Sequence, residues 1–121
     1  MFGKSRFKVV ISDSPFPTDD VEREVLNRVG AEVRRFHCKT EEDAIEKAEG
    51  ADAVLCDLAP LSRNVILHLK RARVIAEYGI GYDNIDVRAA SERGIIVCNA
   101  PDFLTYEVAD HTVSLILALV R

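Results

Sequence analysis

Five short runs of apolar, largely β-branched residues recur along the chain, and a stretch with helical spacing follows each of them. The runs are bounded by Gly, Pro, Asp or Ser, which are typical strand and turn boundaries. They predict strands over residues 7–12, 31–36, 53–57, 73–78 and 95–98. Because the runs are almost continuously apolar, they favour strands that are covered on both faces, as in a parallel sheet.

The segments between these runs predict four short helices, each with start and stop signals of its own. In the first, Val21, Val25, Leu26 and Val29 fall on one face, and the second opens with a capping box at Thr40. The helices run from Pro17 to Gly30, from Glu41 to Gly50, from Ser62 to about Ala72, and from Asp86 to Gly94. Alternation of strands and helices predicts a flavodoxin-like, doubly wound α/β fold whose five parallel strands are ordered 2-1-3-4-5.

A longer helix is predicted over residues 105–121. Val113 and Ile116 belong to one apolar stripe, but Leu115 and Leu119 make other sides apolar too, so we expect a helix buried on all sides. One interpretation is a last helix that covers a face of the sheet. We favour the other, in which further protein surrounds the helix and this chain is truncated.

Composition narrows the classes of function. The 121 residues are 48% hydrophobic and 30% charged, with a net charge of −4, which is typical of a single globular domain without a strong field for nucleic acid or membranes. Three cysteines without C-x-x-C spacing argue against disulfides and zinc, and we expect Cys98 to be buried. No histidine pair has metal-ligand spacing. With neither a signal peptide nor a membrane span predicted, we expect a cytoplasmic protein.

The most informative loop follows the fourth strand, at the edge of the sheet where α/β proteins bind ligands. Gly79 and Gly81 lie two residues apart there, and glycines leave backbone N–H groups accessible to a carboxylate or phosphate. The alternative is a tight turn that requires positive φ. The loop is not a dinucleotide fingerprint, because Asn84 replaces the third glycine of G-x-G-x-x-G and Asp86 would repel a pyrophosphate. We therefore predict that this chain binds no NAD or NADP itself.

Two acids suggest a different class of protein. Asp13 follows the first strand and Asp57 the third, as in phosphoacceptor receiver domains, where such acids gather Mg²⁺ around the aspartate that is phosphorylated. The second acid beside Asp13, the Thr or Ser after the fourth strand and the Lys after the fifth are all missing. This signalling domain is the weaker alternative, together with a binding or scaffolding domain that has no redox chemistry.

Three sequence blocks carry a family resemblance. Residues 77–86 (EYGIGYDNID), 94–101 (GIIVCNAP) and 107–112 (EVADHT) resemble, in this order and spacing, the D-isomer-specific 2-hydroxyacid dehydrogenases. The similarity is greatest to the branch that contains C-terminal-binding-protein-like enzymes, and it extends to phosphoglycerate dehydrogenases. It is specific over residues 74–121 and compatible in pattern over residues 1–73.

The resemblance implies a substrate-binding domain over residues 1–104 and an interdomain or dimerisation helix over residues 105–121. A Rossmann domain absent from this chain would carry NAD or NADP and the catalytic Arg, Glu and His, and would transfer hydride between nicotinamide and a 2-oxo or 2-hydroxy acid. The resemblance places the substrate carboxylate at Tyr78, Gly79, Ile80 and Gly81. It assigns the interdomain side and the interface of a homodimer to Asn99, Pro101, Asp110, His111, Leu115 and Leu119.

One residue departs from the family pattern. The position of Glu77 is commonly Arg in relatives, where a cation assists the anionic substrate, and a carboxylate would oppose it. Either Glu77 points away from the substrate or the substrate preference differs.

Overall fold

A computed structural model describes residues 7–120, which form a five-stranded parallel sheet flanked by helices. The sheet order is β2-β1-β3-β4-β5, which confirms the predicted flavodoxin-like arrangement. The strands are β1 (Phe7–Ile11), β2 (Ala31–Arg35), β3 (Ala53–Cys56), β4 (Val74–Glu77) and β5 (Ile96–Cys98). The helices are α1 (Asp20–Asn27), α2 (Glu41–Ala48), α3 (Arg63–His68), α4 (Val87–Glu92) and α5 (Thr105–Leu119).

Local sequence signals set several of these boundaries. The capping box of α2 forms as predicted, because the Asp43 N–H donates to Thr40 Oγ1 while the Asp43 carboxylate accepts from the Thr40 N–H. Asp86 caps α4 by accepting from the Ala89 N–H at 2.8 Å. Two helices are shorter than predicted: α1 begins at Asp20 instead of near Pro17, and α3 ends at His68, well before Ala72.

The larger part of the core lies on one face of the sheet, which we call the covered face. Register partners on neighbouring parallel strands point to the same side, so Val10, Val54 and Ile75 share this face. They pack with alanines of α2 and α4 and with Val65 and Ile66 of α3, and Val54 and Ile75 are fully buried. Three helices therefore exclude water from this side of the sheet.

The opposite face is only partly covered. Helix α1 contributes Leu26 against Val9, Ile11 and Val33, which form a small second cluster over β1 and β2. Across β3, β4 and β5 no described helix lies on this side, and we call that area the open face. Its residues are partly or largely exposed; they are Ala53, Leu55, Val74, Ala76, Ile96 and Cys98.

One expectation about burial is wrong for this reason. Cys98 lies on the open face and is exposed instead of buried. The apolar stripe of α1 also faces water, since Val21, Val25 and Val29 are each more than half exposed. The exposure of Cys98 follows from the absence of a helix over this half of the sheet among residues 7–120.

Of the two interpretations of α5, the one in which the helix covers a face of the sheet is wrong. Every residue from Thr105 to Leu119 is exposed, and no α5 side chain belongs to either core cluster. At 100° per residue, Val113, Ile116 and Leu119 lie within a broad apolar side, whereas Asp110 and Ser114 lie on a polar side. No helix within residues 7–120 is long and apolar enough to cross a membrane.

Candidate functional site

The loops at the carboxyl ends of the strands are fastened to one another by a buried aspartate. The Asp13 carboxylate, only 6% exposed, accepts hydrogen bonds from the backbone N–H groups of Asp57, Leu58 and Ala59 at 2.6–3.0 Å. Ser12 donates a further bond from its hydroxyl. Because these donors occupy both carboxylate oxygens, Asp13 holds the loop that follows β3, and this geometry speaks against the Mg²⁺ role that a receiver domain would give it.

A second set of hydrogen bonds joins the loop after β3 to the loop after β4. The side-chain amide of Asn84 donates to the carbonyl oxygens of Asp57 and Ala59, at 3.1 and 3.0 Å. A parallel bridge between Leu61 and Ile85 continues the connection. The sequence indicated Asn84 only as a missing glycine of a nucleotide motif, so its positioning role was not predicted.

The Gly79–Gly81 loop lies at this edge of the sheet, and hydrogen bonds to its carbonyl groups hold it in place. The Gly79 carbonyl accepts from the Ala100 N–H at 3.0 Å, and the Asn99 side chain donates to the Ile80 carbonyl at 2.8 Å. Within residues 7–120, the N–H groups of Ile80 and Gly81 have no hydrogen-bond acceptor. The loop therefore presents two unpaired donors, held in place by contacts on its other side.

The glycines of this loop are not required by the backbone. Positive φ occurs at Gly30 and Gly94, both at +68°, but at neither Gly79 nor Gly81. A Cβ at Gly81 would meet nothing within 4 Å, and a Cβ at Gly79 would make only an ordinary contact of 3.7 Å with Glu77. The interpretation of the loop as a turn that needs positive φ is therefore wrong.

Glu77 ends β4 directly before this loop and points to the covered face, as the register partner of Cys56. It is 5% exposed, and its Oε1 accepts from the Gly79 N–H at 3.2 Å while its Oε2 lies 3.4 Å from Cys56 Sγ. Burial raises the pKa of the Glu77 carboxyl, although the contacts from Gly79, Cys56 and Asn84 oppose that rise. Burial is also the main cause that raises the pKa of Asp57, with Asp13 adding to it.

Tyr78 turns to the other side of the sheet from Glu77. Its hydroxyl donates to Glu22 of α1 at 2.5 Å, and its ring meets the Phe16 ring edge to face, with centroids 5.8 Å apart. Burial, followed by the bond to Glu22, raises the pKa of this phenol. An apolar cleft of about 480 Å³ lies between Tyr78, Phe16 and Val21. The Tyr78 side chain thus stabilises the loop between β1 and α1, and only the backbone of Tyr78 adjoins the glycines.

The residues predicted for the interdomain side lie in two places. Asn99 and Pro101 follow β5, where Asn99 holds the glycine loop as described and Pro101 is exposed. Asp110, His111, Leu115 and Leu119 lie on α5 and are exposed, with Leu119 at 86%. The described residues do not bring these α5 positions to the glycine loop. No group of three His, Cys, Asp or Glu side chains within residues 7–120 is arranged to hold a metal ion.

Comparison with known proteins gives consistent matches. Residues 9–115 match the family model for the D-isomer specific 2-hydroxyacid dehydrogenase, catalytic domain. The chain is 40% identical over 115 residues to the D-3-phosphoglycerate dehydrogenase of Methanocaldococcus jannaschii, covering 94% of this chain and 21% of that protein. It is 43% identical over 81 residues to the glyoxylate reductase of Pyrococcus furiosus, covering 66% of this chain and 24% of the relative.

A solved structure agrees with these matches. The NAD⁺-bound 3-phosphoglycerate dehydrogenase of Entamoeba histolytica superposes with a TM-score of 0.79 at 31% identity, over 91% of this chain and 38% of that one. The chain therefore spans about a quarter or less of the length of these curated relatives.

Proposed function

The chain belongs to the D-isomer specific 2-hydroxyacid dehydrogenase family, and on that basis we propose that it is the substrate-binding domain of a longer NAD- or NADP-dependent dehydrogenase. In this proposal the Gly79–Gly81 loop receives the carboxylate of a 2-oxo or 2-hydroxy acid. Hydride passes between that acid and the nicotinamide, which is bound outside this domain together with the residues that transfer the proton.

The observation that carries this proposal is that the loop has two unpaired N–H groups beside glycines that the backbone conformation does not require. Gly30 and Gly94 satisfy a backbone conformation that other residues rarely adopt, whereas Gly79 and Gly81 do not. Glycine therefore contributes access at this loop, because Gly79 and Gly81 carry no side chain that could shield the unpaired N–H groups of Ile80 and Gly81. Those donors suit a carboxylate, which accepts strong hydrogen bonds from backbone N–H groups.

The proposal also includes self-association of the chain through α5. Its exposed apolar side, which includes Val113, Ile116 and Leu119, is a contiguous patch of the kind that marks an interface. We propose that two copies of the chain associate through this side as a two-fold dimer. Asp110 and His111 lie off that apolar side, where they remain available to a neighbouring domain.

The carboxylate role is tested with Gly81→Val. Because Gly81 has an ordinary φ and space for a Cβ, we expect the urea midpoint of unfolding to stay unchanged. Valine would shield the N–H groups, so the shifts that glyoxylate causes in the ¹⁵N NMR signals of Ile80 and residue 81 should disappear.

Gly50→Val is the matched control. Gly50 also has ordinary φ and open space, but it lies between α2 and β3, at the opposite edge of the sheet. We expect this variant to bind glyoxylate as the unchanged chain does. Binding by Gly81→Val that equals binding by the Gly50→Val control would contradict the carboxylate role.

A further inference from the structure

The strongest unexplained feature is a buried acid directly beneath a loop that we propose for anion binding. Glu77 Oε1 accepts from the Gly79 N–H at 3.2 Å, so one of the three N–H groups of the loop is already bound to a carboxylate of the chain itself. The other two N–H groups, of Ile80 and Gly81, have no acceptor within the described residues. The loop thus holds an internal anion next to two open donors.

Within residues 7–120, no cation is among the groups that act on this carboxylate. Cys56 of β3 contacts Oε2, and Asp57, directly after β3, adds a like charge. From the loop after β4, the Gly79 N–H and the Asn84 amide contribute neutral donors. The nearby Asp13 has its oxygens occupied by backbone N–H groups. A second anion at the loop would therefore meet repulsion that no described cation compensates.

We propose that Glu77 determines which ligands the loop accepts: its carboxylate competes with the ligand for the Gly79 N–H, and a carboxylate ligand binds only when Glu77 has taken up a proton. The inference rests on the proposed function and deepens it, since it specifies the charge state in which the same site works. Binding of one carboxylate then coincides with the uptake of one proton by the chain.

The physical reason is the cost of placing two carboxylates around neighbouring N–H groups in a buried setting. Glu77 is 5% exposed, so water screens its charge poorly, and like charges at short range disfavour ionisation of both groups. Burial already raises the pKa of Glu77, which brings protonation closer to neutral pH. A protonated Glu77 releases the Gly79 N–H to the ligand and offers an O–H donor in addition.

The same repulsion limits the charge of the ligand that the loop can accept. A singly charged 2-oxo acid requires one proton to restore the charge balance, whereas a phosphorylated acid brings further negative charge toward Asp57 and Glu77. The site therefore fits an unphosphorylated 2-oxo or 2-hydroxy monocarboxylate.

The test is glyoxylate binding to the 121-residue chain, followed through the ¹⁵N NMR signals of Gly79, Ile80 and Gly81 between pH 5 and pH 8. Above the pKa of Glu77 we expect the apparent Kd to rise by up to about tenfold per pH unit, as linkage to one proton requires. In Glu77→Gln, which keeps the size of the side chain and removes its charge, the Kd should be lower at neutral pH and independent of pH.

Two variants serve as controls. Glu49→Gln removes one exposed charge at the far end of α2 and should retain the pH dependence of the unchanged chain. Asp57→Asn removes the neighbouring acid, whose charge raises the pKa of Glu77, so it should keep the steepness of the pH dependence and move it to lower pH. A pH dependence that survives in Glu77→Gln, or that disappears in Asp57→Asn instead, would overturn the inference and leave the carboxylate role intact. Loop signals that respond to glyoxylate at no pH in any of these proteins would overturn the proposed function, and the inference with it.

A measurement on the unchanged chain covers the case in which Glu77→Gln does not fold. The ¹³C signal of the Glu77 side-chain carboxyl, assigned through its own backbone, reports the pKa directly. We expect saturating glyoxylate to raise that pKa. An unchanged pKa, with the loop signals showing that glyoxylate is bound, would overturn the inference.

Discussion

The two faces of the sheet use the same strands and differ in what lies against them. On the covered face, Val54 and Ile75 are fully buried beneath α2, α3 and α4. On the open face, Ile96 in the edge strand β5 is 66% exposed, and its register partner Val74 in the inner strand β4 is only partly buried. The difference shows that apolar, β-branched sequence creates the strand but does not by itself provide the helix that buries it.

The largest expected difference between the covered and open faces concerns two isoleucines on neighbouring strands. Ile75→Ala removes a fully buried side chain from the covered face, and we expect a loss of about 2–5 kcal/mol in the free energy of unfolding. Ile96→Ala, on the open face, should cost no more than about 0.5 kcal/mol because that side chain already faces water. Urea denaturation measures both. Equal losses would mean that the open face is covered in solution.

The three cysteines sharpen the comparison chemically. Cys98 lies on the open face, whereas Cys38 and Cys56 are buried; burial raises the pKa of the Cys38 thiol to about 11 and also raises that of Cys56. With a thiol-reactive disulfide reagent at pH 8, Cys98 should react at least about 100-fold faster than the other two, which react only after opening of the fold.

Cys98→Ser provides the control for this assignment, because it should abolish the fast phase and leave the slow reaction of the buried thiols. A slow Cys98 in the unchanged chain would indicate that another surface protects β5. That result would remove the distinction between the two faces.

The smallest expected effect is a twofold change in the molecular mass of the particle in solution, caused by dimerisation through α5. If its apolar side pairs two copies, the chain should be dimeric by light scattering at high micromolar concentration. Leu115→Glu combined with Leu119→Glu should yield a monomer, because charges would be buried in the interface. Ser114→Glu adds a charge on the polar side of the same helix and should leave the dimer intact. A monomeric unchanged chain would exclude this association.

Much of the fold follows from sequence because its signals are local. Capping by Thr40 and Asp86 and the stops at Gly30 and Gly94 depend on neighbouring backbone groups, and the right-handed crossover rule then restricts the strand order. The glycine loop was also recognisable, since its position after β4 follows from the topology. The places of Leu115 and Leu119 in an interface and of Asn99, Pro101, Asp110 and His111 on the interdomain side stay predictions.

Expectations from the sequence failed where an outcome depends on residues far apart in the chain. Cys98 was expected to be buried because of its apolar character, and one interpretation of α5 placed that helix over the sheet, but burial depends on which element packs against a residue. The fastening of the loop after β3 by Asp13 joins positions 44 to 46 residues apart, and no local pattern indicates it.

By itself, the sequence determined the strands, the helix caps, the order of the sheet and the position of a backbone-accessible loop, because periodicity, capping and chirality are properties of short segments. Only the tertiary structure decided that Gly79 and Gly81 are free of backbone constraint, that Glu77 is buried against the loop, and that one face of the sheet is open. Exposure, hydrogen-bond partners and charge environment depend on distances between segments, and those distances exist only in the folded chain.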